Sequence, residues 1–210
     1  MPSLLSVNVG VPRSVEWRGR LVSTAIWKDP VAGPVDVRGV NLVGDDQADR
    51  RVHGGVDKAV YAYAVEDYDW WSATTGPLGP GTFGENLTTI GLDLAACRIG
   101  DRWMVGSCVL EVAQPRQPCF KLGIRMDDDT FPGRFTEAGR PGAYLRVVVA
   151  GTVEAGAPIE VVPAEQPALT LAEVAAEEKD VSILERLRDD ERVPDGWRRS
   201  AARALERDRA

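Results

Sequence analysis

A chain of 210 residues is long enough for one medium domain with a small appendage, or for one larger all-β domain. Its apolar content of 44% suits a packed globular core, and its net charge of −7 argues against general binding of nucleic acid polymers or membrane surfaces. No apolar run approaches the roughly 18–20 residues that cross a bilayer; the start, MPSLLSVNVG, is not a secretory signal, so a cytoplasmic location is expected.

In chain order, SLLSVNV, RLVSTAIW, KAVYAYAV, SCVLEVAQ and AYLRVVVAG are rich in β-branched and aromatic residues, as strands prefer. Turn signals such as GPLGPGTFG and EAGRPG separate them. CRIGDRWMV and TVEAGAPIEVV each set a glycine turn between apolar runs, which suits a curled sheet or barrel. EDYDWWSATTG and PCFKLGIR read as short helices, and the paired Trp70 and Trp71 as packing residues. The composition changes after Pro163. Residues 168–207 carry alternating charges with Leu and Ala, and predict three short helices. Thr170 with Glu173 forms a capping-box pattern, and Ser182 with Glu185 repeats it. Pro194 suits the first turn of the third helix, whose inner face is Trp197, Ala201 and Leu205. The division expected is a core over 1–163 and a three-helix segment over 164–210, the latter docking on the core or on a second subunit.

The chemistry narrows quickly. Cys97, Cys108 and Cys119 are an odd number without a CxxC pair, which fits neither a disulfide framework nor a structural zinc site. The single histidine, His53, excludes any centre that needs two imidazoles. Three stretches stand out. In AQPRQPCFKLGIR, Cys119 is flanked by Arg116, Lys121 and Arg125 with no acid between Glu111 and Asp127. Such cations, and a helix starting at Cys119, stabilise a thiolate, a nucleophile and soft-metal ligand. A buried packing thiol is the competing reading. In DRRVHGGVDKAVYAY, Gly54 and Gly55 let backbone amides approach a ligand, and Arg50, Arg51 and Lys58 offer charge to a phosphate. A glycine hairpin beside solvated arginines is the alternative. In GTFGENLTT, the loop at Gly84, Glu85 and Asn86 offers amide donors and a two-way Asn side chain. Neither a P-loop nor a dinucleotide fingerprint occurs, no carboxylate pair marks itself out, and no serine sits in a nucleophile elbow.

Taken together and in order, GDDQADRRVHGGVDKAVYAY, FGENLTT and IGDRWMVGSCVLEVAQPRQPCFKLG resemble the MOSC domain family over essentially the whole chain. The branch they resemble is that of the YiiM-like proteins, which carry a three-helix C-terminal extension. The resemblance implies a mainly β fold, a β-barrel core that binds the molybdenum cofactor, with Cys119 as thiolate ligand to molybdenum. It implies pocket roles for His53, Gly54, Gly55, Lys58, Gly84, Glu85, Asn86, Gln114, Arg116 and Lys121. Similar sequences often have a second histidine where Tyr61 stands. The implied activity is reduction of small N-hydroxylated compounds such as hydroxylaminopurine bases, a detoxification. Without a flavin motif, an iron–sulfur cysteine set or a zinc site in this chain, electrons must come from a separate reductase. A cofactor carrier or a persulfide carrier on Cys119 is the alternative. Pyridoxal phosphate binding and oligomer formation are left open by the resemblance.

Overall fold

The computed structural model describes residues 1–48, 54–164, 168–176 and 178–207. The strands are β1 (Ser3–Val9), β2 (Arg13–Trp17), β3 (Arg20–Thr24), β4 (Asp29–Pro30), β5 (Val35–Arg38), β6 (Asn41–Leu42), β7 (Val60–Ala64), β8 (Leu87–Ile90), β9 (Arg102–Val105), β10 (Cys108–Pro115), β11 (Ala143–Val149), β12 (Gly151–Val153) and β13 (Ile159–Val162). The helices are α1 (Val65–Thr75), α2 (Phe120–Met126), α3 (Phe131–Glu137), α4 (Leu171–Ala175), α5 (Val181–Asp189) and α6 (Asp195–Arg207), with a 3-10 turn at Val56–Lys58. Eight strands form one sheet in the order β13-β9-β10-β11-β7-β8-β1-β4. All its pairs are antiparallel except β7–β8, whose parallel pairing requires the crossover that contains α1.

The fold is mixed α/β, mainly sheet, with C-terminal helices, and the expected closed barrel is not found among the described residues. The sheet does curl: β1 touches the run leading into β13 through a single Ser3–Pro158 bridge. Leu4 N–H donates to the Ala157 carbonyl and Ile159 N–H to the Pro2 carbonyl, each at 2.9 Å. The other end of β1, at Asn8 and Val9, pairs with β4 instead.

Strand β7 lies at the middle of the molecule, buried on both faces. Its period-2 alternation sends Val60, Ala62 and Ala64 into an aliphatic cluster with Leu87, Leu110, Val112 and Leu145. Tyr61 and Tyr63 point the other way, into an aromatic cluster with Tyr68, Trp71, Phe83, Phe131 and Phe135. The aliphatic cluster runs on without a break into Leu171, Val174, Leu187, Ala201 and Leu205, so the C-terminal helices share the core of the sheet. Of the paired tryptophans, Trp71 packs in the aromatic cluster, whereas Trp70 is half exposed under Arg140.

The helix-start signals are met in part. The Thr170–Glu173 capping box forms at α4. At α5 the cap is Asp180, whose carboxylate accepts the Ile183 N–H at 2.9 Å; Ser182 is already inside the helix and donates back to Asp180. The acid two residues upstream takes the cap because a carboxylate is the stronger acceptor for that amide. Pro194 stands one residue before α6, where its carbonyl accepts the Arg198 N–H. No helix among the described residues is long and apolar enough to cross a membrane.

Candidate functional site

The three stretches that sequence singles out meet at one side of β7 and β10. Strand β10 ends at Pro115, and the segment 116–118 carries the chain to Cys119, the N-cap residue of α2 in extended conformation (φ −126°, ψ 171°). Its carbonyl accepts the Leu122 N–H at 2.9 Å. Cys119 is partly exposed, whereas Cys97 and Cys108 are buried in the aliphatic cluster. Burial pushes the Cys97 thiol up to about 12, and moves Cys108 in the same direction. Two of the three cysteines are therefore core residues, and one faces a cleft of about 100 Å³.

Among the described residues, four cations line that cleft with Cys119: Lys28, Lys58, Arg116 and Lys121. Lys58 stands at the end of the 3-10 turn that Gly55 introduces; the glycine's φ of +100° is the reason for a residue without Cβ there. Burial lowers the Lys58 ammonium, with Asp57 and Cys119 opposing the shift. Arg116 lies over the Tyr61 ring, 4.8 Å from its centroid, and donates to the Phe83 carbonyl. Tyr61 lines the cleft, and its hydroxyl is spent on the Pro141 carbonyl at 2.9 Å. Burial keeps that phenol far above its ordinary range, so it serves as a neutral donor. Arg125, the third cation of the Cys119 stretch, turns away: it donates to the Thr82 carbonyl and stacks on Trp27.

The GENL loop supplies support more than contact. Gly84 and Asn86 line the cleft. The segment 25–28 presses against the loop so closely that a Cβ on Gly81 would lie 2.2 Å from the Lys28 carbonyl oxygen. Asn86 is a staple: its Oδ1 accepts the Tyr61 N–H at 3.1 Å and its Nδ2 donates to Asp45 at 3.0 Å. Asp45 also accepts the Gly10 N–H and pairs with Lys28. Burial lowers the Lys28 ammonium and Asp45 opposes that, so the pair stays in the cleft wall because both charges are partnered.

Glu85 does not reach the cleft. Its carboxylate accepts from Tyr68 Oη (2.7 Å), Gly81 N–H (2.6 Å) and Thr88 Oγ1 (2.9 Å), wholly inside the protein. Burial pushes it above the usual carboxylate range, partly offset by these donors. The charge signal in the sequence marked a residue that holds the loop's shape. Gln114, Gly54 and Gly55 line a neighbouring groove against α6, which Lys58 shares. His53, with Arg50 and Arg51, lies outside the described residues. Lys28, Asp45, Asp46 and Tyr144, which sequence reasoning passed over, complete the wall. The signal that could have found Asp45 is GDDQ, an acid pair directly before the stretch already in view.

Among the described residues, no group of three or more His, Cys, Asp and Glu side chains is placed to hold a metal ion. The cleft offers one thiol and four cations, with the carboxylates of Asp45, paired to Lys28, and Asp46 in its wall. A bare divalent ion finds too few ligands in it, whereas a metal already chelated by an anionic organic group needs only one protein donor and charge for its anion.

The fold has known counterparts. The model of the MOSC domain matches residues 49–160, and the chain belongs to the MOSC domain family. Within the family it is YiiM-like. Its fold superposes on YiiM from Geobacillus stearothermophilus with a TM-score of 0.79 at 30% identity, covering 98% of this chain and 100% of that one. YiiM from Escherichia coli is 35% identical over 144 residues, 66% of this chain and 64% of its own length. YflK from Bacillus subtilis, an uncharacterized protein, is 33% identical over 210 residues, 98% of this chain and 95% of its own. A protein of Gibberella moniliformis named reductase is 34% identical over 169 residues, 78% of this chain but 30% of its own length.

Proposed function

We propose that this protein is a molybdenum-cofactor-dependent oxidoreductase that reduces N-hydroxylated compounds, with the Cys119 thiolate as the protein's ligand to molybdenum. The observation that carries the reading is the cleft itself: one partly exposed thiol facing four cations, while the other two thiols are sealed in the core. MOSC domains often bind the molybdenum cofactor, and the donor set here fits it. Lys58, Arg116 and Lys121 would supply positive charge for its phosphate, while the charge of Lys28 is matched by Asp45 within the wall. The relative named reductase supports the redox direction.

When bound, the cofactor supplies a two-electron couple that takes up an oxygen atom. The overall change is R–NHOH + 2e⁻ + 2H⁺ → R–NH₂ + H₂O, with electrons from a separate reductase that docks on this chain. The chain's own part is to bind and orient. Cys119 fixes one coordination position, Arg116 is held rigid by Tyr61 and the Phe83 carbonyl, and the Asn86–Asp45–Lys28 network keeps the wall from collapsing.

Turnover of hydroxylaminopurine with a supplied electron donor tests the reading. Cys119→Ser is expected to abolish reduction while circular dichroism stays that of the wild type. Full activity in that variant contradicts the proposal. Molybdenum bound without turnover on any N-hydroxy substrate would point to a carrier, and a sulfane sulfur on Cys119 without metal to a persulfide protein.

A further inference from the structure

The turn that carries Lys58 is gripped from behind by side chains that the C-terminal segment holds in place. Asp57, its immediate neighbour, is held twice. Gln114 Nε2 donates to the Asp57 carbonyl at 3.2 Å, and Arg146 Nε donates to the Asp57 carboxylate at 2.6 Å. Each of those side chains is itself fixed by the last fifth of the chain. Trp197 Nε1, on α6, donates to Gln114 Oε1 at 2.8 Å. Arg146 Nη2 donates to the Arg192 carbonyl at 2.8 Å, while its Nη1 is anchored on Glu111 at 3.1 Å.

These bonds do more than docking requires. The apolar face of α6, through Ala201 and Leu205, already secures the helix to the common core. Apolar packing sets proximity without direction, whereas two hydrogen-bonded struts that converge on one residue fix its position and orientation. Gln114 is 6% exposed, so its amide makes both bonds away from water, where losing a partner is costly.

We infer that Gln114 and Arg146 are positioning residues, through which Trp197 and the Arg192 carbonyl hold the turn at Val56–Lys58 and thereby set the Lys58 wall of the Cys119 cleft. The C-terminal helices are on this account part of the support of the site. The functional consequence rests on the cofactor reading of the cleft; the geometry of the struts does not.

The test uses the full chain carrying cofactor, comparing wild type, Trp197→Phe, and Trp197→Phe combined with Arg146→Lys. Phenylalanine keeps an aromatic ring at the contact and removes the donor to Gln114 together with part of the indole's bulk, so the β9 control separates a local loosening from a general loss of packing. Amide hydrogen exchange is followed in residues 54–60, with β9 as control, and molybdenum retained after dialysis is measured in the same samples. Exchange in 54–60 is expected to rise about tenfold in the double variant with β9 unchanged. Molybdenum should be lost faster, while turnover per remaining molybdenum stays at the wild-type value. Unchanged exchange in 54–60, or a rise shared equally by β9, overturns the inference. A loosened turn with wild-type molybdenum retention would leave the struts standing and count against Lys58 as a cofactor contact, so the two failures are told apart.

Discussion

The two faces of β7 look onto cores of different character. On one side Val60, Ala62 and Ala64 join an aliphatic cluster that extends beneath the sheet and into the C-terminal helices. On the other, Tyr61 and Tyr63 join a cluster whose aromatic residues are tied by directional bonds: Trp71 Nε1 to Tyr63 Oη at 3.0 Å, Phe83 N–H to Tyr68 Oη at 3.1 Å, and Tyr68 to Glu85. Aliphatic burial is non-directional and stabilises whatever arrangement fills the space. Aromatic edges and hydroxyls select one orientation. The cleft leans on the second side, where Arg116 is seated on Tyr61 and bonded to Phe83. The comparison teaches that stability and preorganisation are built from different materials on opposite faces of one strand.

Truncation on each side should separate the two. Phe83→Ala is expected to cost about 3–5 kcal/mol by cavity formation, and to release Arg116 along with the loop, so molybdenum content should fall as well. Leu110→Ala, fully buried in the aliphatic cluster, is expected to cost about 2–5 kcal/mol, yet leave molybdenum content per folded chain unchanged. Urea melts and elemental analysis of both variants check this; equal molybdenum loss would erase the distinction.

Glu85 sharpens the same comparison through pH. Its carboxyl is raised by burial, so the folded state holds its proton more tightly than the unfolded chain does. Its contribution is therefore fully present below the ordinary glutamate value and is lost as pH rises through the raised one. In Glu85→Gln that fall should disappear from the urea midpoint measured against pH. The variant should also be weaker by about 1–3 kcal/mol at acid pH, because the amide sets an NH2 that cannot accept where the protonated carboxyl still has two oxygens for three converging donors. The smallest effect is expected on the aliphatic side, where Thr170→Ala removes the capping box of α4 for about 1 kcal/mol with the cleft untouched.

Much of this was legible in the sequence, and the reasons are physical. Strands with β-branched runs, the α4 capping box and the inner face of α6 follow from local pattern alone. The short pieces β4 and β6 and the helix α3 lack a periodic signal of useful length. The open curl of the sheet depends on where Pro158 meets β1, a long-range fact. At the site, Lys58, Gly84, Asn86, Arg116, Lys121 and Cys119, which motif order puts together, line one cleft. Glu85 lies inside its own loop, which the sequence does not reveal because a loop acid in a motif looks the same whether it faces a ligand or its own loop. Lys28 was missed because a lone cation between aromatic and acidic neighbours carries no spacing signal; only the fold brings it to Asp45.

The central claim is that Cys119, and neither of the two core thiols, holds the metal. Protein made in a host that synthesises the molybdenum cofactor, followed by elemental analysis, tests it directly. About one molybdenum per chain is expected for the wild type and for Cys97→Ser per folded chain, and essentially none for Cys119→Ser. Molybdenum retained at the wild-type level in Cys119→Ser would contradict the account.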